Sequence, residues 1–110
     1  MKGYVCEDAP RGFTHEQRQQ REDLINAGFR PILANTAVIL LSAPRITHAD
    51  IGAILFLSAS ASLKRVNLLY QELNVAGSRF DGGQVWTKRD RAVESLQHMI
   101  ARARAGEETP

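Results

Sequence analysis

Three histidines and a single cysteine make up this chain's candidate metal-binding or nucleophilic set, and their spacing gives them no joint chemistry. His15, His48 and His98 are separated by long intervals, and none forms a metal-type pair with Cys6. The neighbouring acids Glu22-Asp23 and Glu107-Glu108 are adjacent in sequence, so on helices they point apart and form no acid/base pair. Asp81-Gly82-Gly83 is too short to cradle a phosphate, and no lysine follows at Walker spacing. These residues therefore predict no catalytic group, no metal and no cofactor, and the chain does not read as an enzyme. The chemistry left is that of hydrogen-bonding and cationic side chains: Ser60, Ser62, Lys64, Arg65 and Gln71, followed by Arg79 and Lys88, types suited to phosphates and base edges. From Ser60 to Arg91 six bases (Lys64, Arg65, Arg79, Lys88, Arg89, Arg91) face three acids (Glu72, Asp81, Asp90), a local excess of three positive charges.

The chain around that segment is unexceptional. Its 110 residues suit one domain, 44% hydrophobic residues are enough for a modest core, and the net charge is only +2. A pI near 9.0 permits nucleic-acid binding without requiring it, so any basic surface must be local. One cysteine excludes an intrachain disulfide and fits a reducing compartment. The first residues lack the apolar region of a signal peptide, and the longest apolar run, Ala37 to Leu41, is far short of the roughly 20 residues that span a bilayer. The expectation is a soluble cytoplasmic protein with no membrane partner.

Residues 1–12, with Pro10 and Gly12, read as an irregular arm. Residues 13–105 read as a single helical domain, and 106–110 as a frayed tail. Thr14 and Gln17 form a possible capping box for a first helix that reaches Asn26 and stops at Gly28. That helix has almost no apolar stripe and is pinned by Phe13, Leu24 and Ile25. Pro31 suits the first turn of the next helix, and Ile32 to Leu41 is apolar on nearly every side, as in a buried helix; a strand through Val38 to Leu41 is the rival assignment. Thr47-His48-Ala49-Asp50 opens a third helix carrying Ile51, Ile54, Leu55 and Leu57. Ser58-Ala59-Ser60-Ala61-Ser62 interrupts the apolar run, and Leu63 to Leu73 forms an amphipathic helix. On its wheel Leu63, Val66, Leu69, Tyr70 and Leu73 fall on the core side, with Lys64, Arg65, Leu68, Gln71 and Glu72 opposite. Leu68, apolar among polar neighbours, suits a protein contact or a thymine methyl. The serines at the start of this helix, with its free backbone N–H groups, suit a phosphate.

Asp81-Gly82-Gly83 marks a hairpin turn between Ser78-Arg79-Phe80 and Gln84-Val85-Trp86, with Trp86 read as a core anchor. Thr87 and Asp90 open a last helix that reaches Ala105, with Gly106 after it. His15 and His48, just after N-caps, and His98 on the polar side of the last helix are expected at the surface. Val93, Leu96 and Ile100 lie near heptad spacing and serve either the domain's own core or a dimer helix. Arg102 and Arg104 suit the helix dipole without a partner.

The order helix, turn, helix, glycine-tipped hairpin resembles the winged helix-turn-helix superfamily, in the manner of small bacterial repressors. The stretches that carry the likeness are Ile32 to Leu41, Thr47-His48-Ala49-Asp50-Ile51-Gly52-Ala53-Ile54-Leu55, Leu63 to Gly77, and the hairpin. Phe56 stands where the family often has glycine. The interval from Leu55 to Gly77 is about one helical turn longer than usual, so either the serine-alanine run expands the turn or the correspondence is coincidental. The fold this implies is mainly α and winged helix-turn-helix-like, with about five helices and one short β-hairpin. The function it implies is a small DNA-binding transcriptional regulator, acting as a homodimer on double-stranded DNA, with a recognition helix at about 62–74 and a wing at about 78–86. The alternative is a non-enzymatic protein-protein interaction module or inhibitor, of the kind a mobile element encodes against a host protein.

Overall fold

A helix apolar on all sides has to sit at the centre, and the second helix does. The computed structural model describes residues 9–75, 79–81 and 84–108, with the backbone alone described for 79–81, 84–86, 107 and 108. The helices are α1 (His15–Asn26), α2 (Pro31–Ser42), α3 (His48–Leu55), α4 (Ala59–Leu73) and α5 (Lys88–Glu108). Helix α2 packs against α1, α4 and α5, and every residue from Leu33 to Leu40 is buried. It starts on Pro31 and is helical throughout, so the rival strand at Val38–Leu41 is set aside. Around it a single core gathers Phe13, Leu24, Phe29, Ile51, Val66, Leu69, Leu96 and Ile100.

Local sequence sets the helix boundaries. Thr14 caps α1 with a complete capping box, its hydroxyl accepting from the Gln17 N–H (3.1 Å) and the Gln17 side chain accepting from the Thr14 N–H (2.7 Å). Gly28 takes φ +111° in the connection to α2. The hydroxyls of Thr47 and Ser58 accept from the N–H groups of Asp50 and Ala61 and so cap α3 and α4. Thr87 and Asp90 exchange backbone-to-side-chain bonds of 3.1 Å at the start of α5. Helix α5 continues through Gly106 to Glu108, past the stop at Ala105 expected from the sequence, so the tail expected at 106–110 starts as helix.

Two three-residue strands, β1 (Arg79–Asp81) and β2 (Gln84–Trp86), pair antiparallel with Phe80 opposite Val85. The arm at residues 1–8, the segment 76–78, the Gly82-Gly83 turn, the side chains of Arg79 and Trp86, and residues 109–110 lie outside the described residues. No single described helix is long and apolar enough to cross a membrane.

Candidate nucleic-acid interface

Helices α3 and α4 are joined by three residues, Phe56, Leu57 and Ser58, and their axes differ by 99°. The turn is therefore short, and Leu57, expected on α3, lies in it because the left-handed Phe56 ends the helix. The serine-alanine run does not expand the turn: Ser58 is the N-cap, and Ala59 to Ser62 form the first turn of α4, so the extra length lies in α4 itself and the residue-by-residue correspondence with the family is coincidental. The corner is tight because Gly52 lies directly against it. A β-carbon on Gly52 would sit 2.3 Å from the Leu57 carbonyl oxygen and 3.0 Å from the Ser62 hydroxyl. Phe56 ends α3 in the left-handed conformation at φ 60°, and the Leu57 N–H then donates to the Gly52 carbonyl at 2.8 Å. For a bulky residue this backbone costs about 1–2 kcal/mol, yet the Phe56 side chain is 93% exposed. Asn74, which tolerates the same conformation far better, ends α4 at φ 56°.

This geometry corrects the expected wheel of α4. The inward positions are Ser62, Val66 and Leu69, all fully buried. Ser62 is withdrawn as a DNA contact: its hydroxyl donates to the Ser58 carbonyl at 3.0 Å and fills the space beside Gly52. Leu63, expected inside, is 44% exposed because Ser62 occupies the core position next to it. Arg65, expected outside, is half-buried. The outer face is formed by Ser60, Leu63, Lys64, Asn67, Leu68, Gln71 and Glu72. Of the serines proposed to hold a phosphate, Ser58 is occupied by capping and Ser62 is buried, which leaves Ser60.

Gln71 and Lys88, far apart in sequence, are brought together. They line one shallow groove with Asn67, Tyr70, Asn74 and Val75, between the second half of α4 and the start of α5. Asn67 belongs to this surface although the sequence pattern did not single it out. It lies one helical turn before Gln71, a spacing that becomes readable once Ser62 is known to point inward. Arg89 is drawn away from this surface, because its guanidinium donates to the Pro44 carbonyl (3.3 Å) and to the Ile46 carbonyl, fastening the α2–α3 loop to α5. His48 is half-buried, with Nδ1 enclosed and unbonded among the described residues, where an exposed histidine was expected. His15 and His98 are exposed.

Comparison with known protein families, with characterised proteins and with solved structures finds no match to this chain. Function therefore rests on the geometry alone.

One further expectation is resolved and one is corrected. Leu96 is fully buried and Ile100 is 8% exposed, both in the chain's own core, with half-buried Val93 packed against it. Of the two roles expected for that stripe, Leu96 and Ile100 take the core role within one chain. Arg104 does have partners: its Nε donates to Asp23 at 2.8 Å and its NH2 to Glu16 at 3.0 Å. The hydrogen bonds to Asp23 and then Glu16 raise its pKa above the ordinary arginine value. No cluster of metal-ligating side chains occurs among the described residues.

Proposed function

We propose that this chain is a small DNA-binding module of the winged helix-turn-helix kind, with α4 as the helix presented to the major groove and the β1–β2 ribbon as its wing, in the role of a transcriptional regulator. The observation that carries this reading is the α3–α4 corner. Its three-residue connection and 99° angle fall within the range of DNA-reading helix-turn-helix units, and its outer helix face is open. Lys64 and Lys88 provide cations for phosphates on either side of the amides of Asn67 and Gln71, and exposed Ser60 sits at the N-terminal end of α4.

Binding of the full chain to random-sequence duplex across a salt series tests the proposal. The expected result is an affinity that falls steeply as salt rises. Lys64→Ala combined with Lys88→Ala should flatten the slope of log K against log salt by about two, roughly one for each phosphate that is no longer neutralised. Salt-insensitive binding, or none at low salt, would remove the reading.

A second reading, a protein-docking module or inhibitor, draws on one specific observation. Ile54, Phe56, Leu63 and Leu68 are all large, apolar and 40% or more exposed. Such a module would show no duplex affinity in the same titration.

A further inference from the structure

Resting on the DNA-binding reading above, we infer that the duplex read by α4 carries adenine·thymine pairs beneath the helix, with thymine methyl groups against Leu63 and adenine edges against Asn67 and Gln71. The outer face has a definite chemical composition. It offers one hydroxyl (Ser60), two amides (Asn67, Gln71), two half-exposed leucines (Leu63, Leu68), one ammonium (Lys64) and, at the edge beyond Gln71, one carboxylate (Glu72). An amide side chain matches the N6 donor and N7 acceptor of adenine, and an apolar side chain matches the thymine methyl. Guanine is taken by arginine or lysine; of these the face carries Lys64, which is assigned above to a phosphate. The arginine on this helix, Arg65, is half-buried at the edge of the face, and Arg89 is bonded to the α2–α3 loop.

The spacing agrees with the composition. Leu63, Asn67 and Gln71 follow one another at four-residue intervals, about 6 Å of helix rise each. For a helix lying along the groove this is nearly two base-pair steps of about 3.4 Å, so the three side chains address successive parts of one short tract. Leu63 and Leu68 are 44% and 42% exposed, and contact with a methyl group would take that surface out of water. Lys64 and Glu72 offset one another on this face, and Lys88, which shares a groove with both amides, adds the positive charge that suits a polyanion.

Selection of sites from a random duplex library by the full chain at low salt tests the inference. The expected consensus is rich in adenine·thymine pairs. Uracil in place of thymine at the selected pairs should weaken binding about three- to fivefold, the worth of one buried methyl. Asn67→Ala with Gln71→Ala should cut the preference for the selected site over a guanine·cytosine competitor by roughly tenfold to a hundredfold. Both amides are exposed, so an unchanged melting curve would show that the variant is folded. A guanine·cytosine consensus, or indifference to uracil and to loss of the amides, would overturn the inference and leave salt-sensitive DNA binding standing. Failure to retain any duplex at low salt would overturn the DNA-binding reading and this inference with it.

Discussion

The α1–α5 end and the α3–α4 end of this molecule are held together by different physics. At the first, polar groups do the fastening. Asp23 is fully buried and receives hydrogen bonds from Arg104 (2.8 Å) and Gln19 (3.2 Å), Arg21 donates to buried Asn35 at 2.7 Å, and Gln17 donates to Ser42 at 2.8 Å. The described ion pairs, Arg104–Glu16, Arg104–Asp23 and Arg21–Glu22, all lie on α1 and α5. At the second, backbone lies against backbone around Gly52, and the large side chains on the outside face water. Side chains bonded from helix to helix in this way make the first end a scaffold. An end held by close backbone approach leaves its outer side chains open to solvent.

The sharpest way to break this contrast is at the corner. Gly52→Ala places a methyl into the Leu57 carbonyl, an atom that cannot step aside. It should cost about 3 kcal/mol even after alanine's better helix propensity, read as a lower urea midpoint with an unchanged m-value. A loss below about 1 kcal/mol would mean that the corner is looser than described.

Next in size is Arg104→Ala, which strands the buried Asp23 carboxylate. Removing one partner of a fully buried pair costs about 3–5 kcal/mol. Because the Arg104 side chain is 39% exposed, water can reach the gap, and about 2 kcal/mol is expected. Arg104→Lys should recover only part of this, since lysine lacks the fork that reaches Asp23 and Glu16 together.

The smallest effect has the opposite sign. Phe56→Gly relieves the left-handed backbone, loses almost no burial, and gives back some of the gain to the unfolded chain's entropy, so it should raise stability by about 0.5–1 kcal/mol. Equal or lower stability in that variant would show that the Phe56 ring contributes to the fold.

Much of the scaffold is written locally in the sequence. The Thr14/Gln17 and Thr87/Asp90 pairs, Pro31 and the all-apolar Ile32–Leu41 stretch are signals within a few residues of one another, and each corresponds to an observed helix start or burial. The site was less legible, because its geometry depends on distant or non-periodic facts. Ser62 points inward only because Gly52 has no β-carbon, ten residues earlier in the chain. Val66 and Leu69 are core positions in either phase, but taking Leu63 instead of Ser62 as the first core position turns the wheel enough to misplace the residues at its edges, sending Leu63 inside and Arg65 outside. The Asp23–Arg104 pair spans 81 positions, and no spacing rule reaches that far. The heptad-like stripe at Val93, Leu96 and Ile100 is periodic for a core as much as for a dimer, and only its packing decides between them.

The most direct measurement is a titration of the isotope-labelled chain with short duplex, following each backbone amide by heteronuclear NMR. Shifts concentrated at Ser60, Leu63, Lys64, Asn67, Gln71 and Lys88, with Asp23, Arg104 and their neighbours unmoved, are the predicted result. Shifts centred on α1 and α5 with α4 silent, or no shifts at low salt, would contradict the assignment of α4 as the DNA-facing helix.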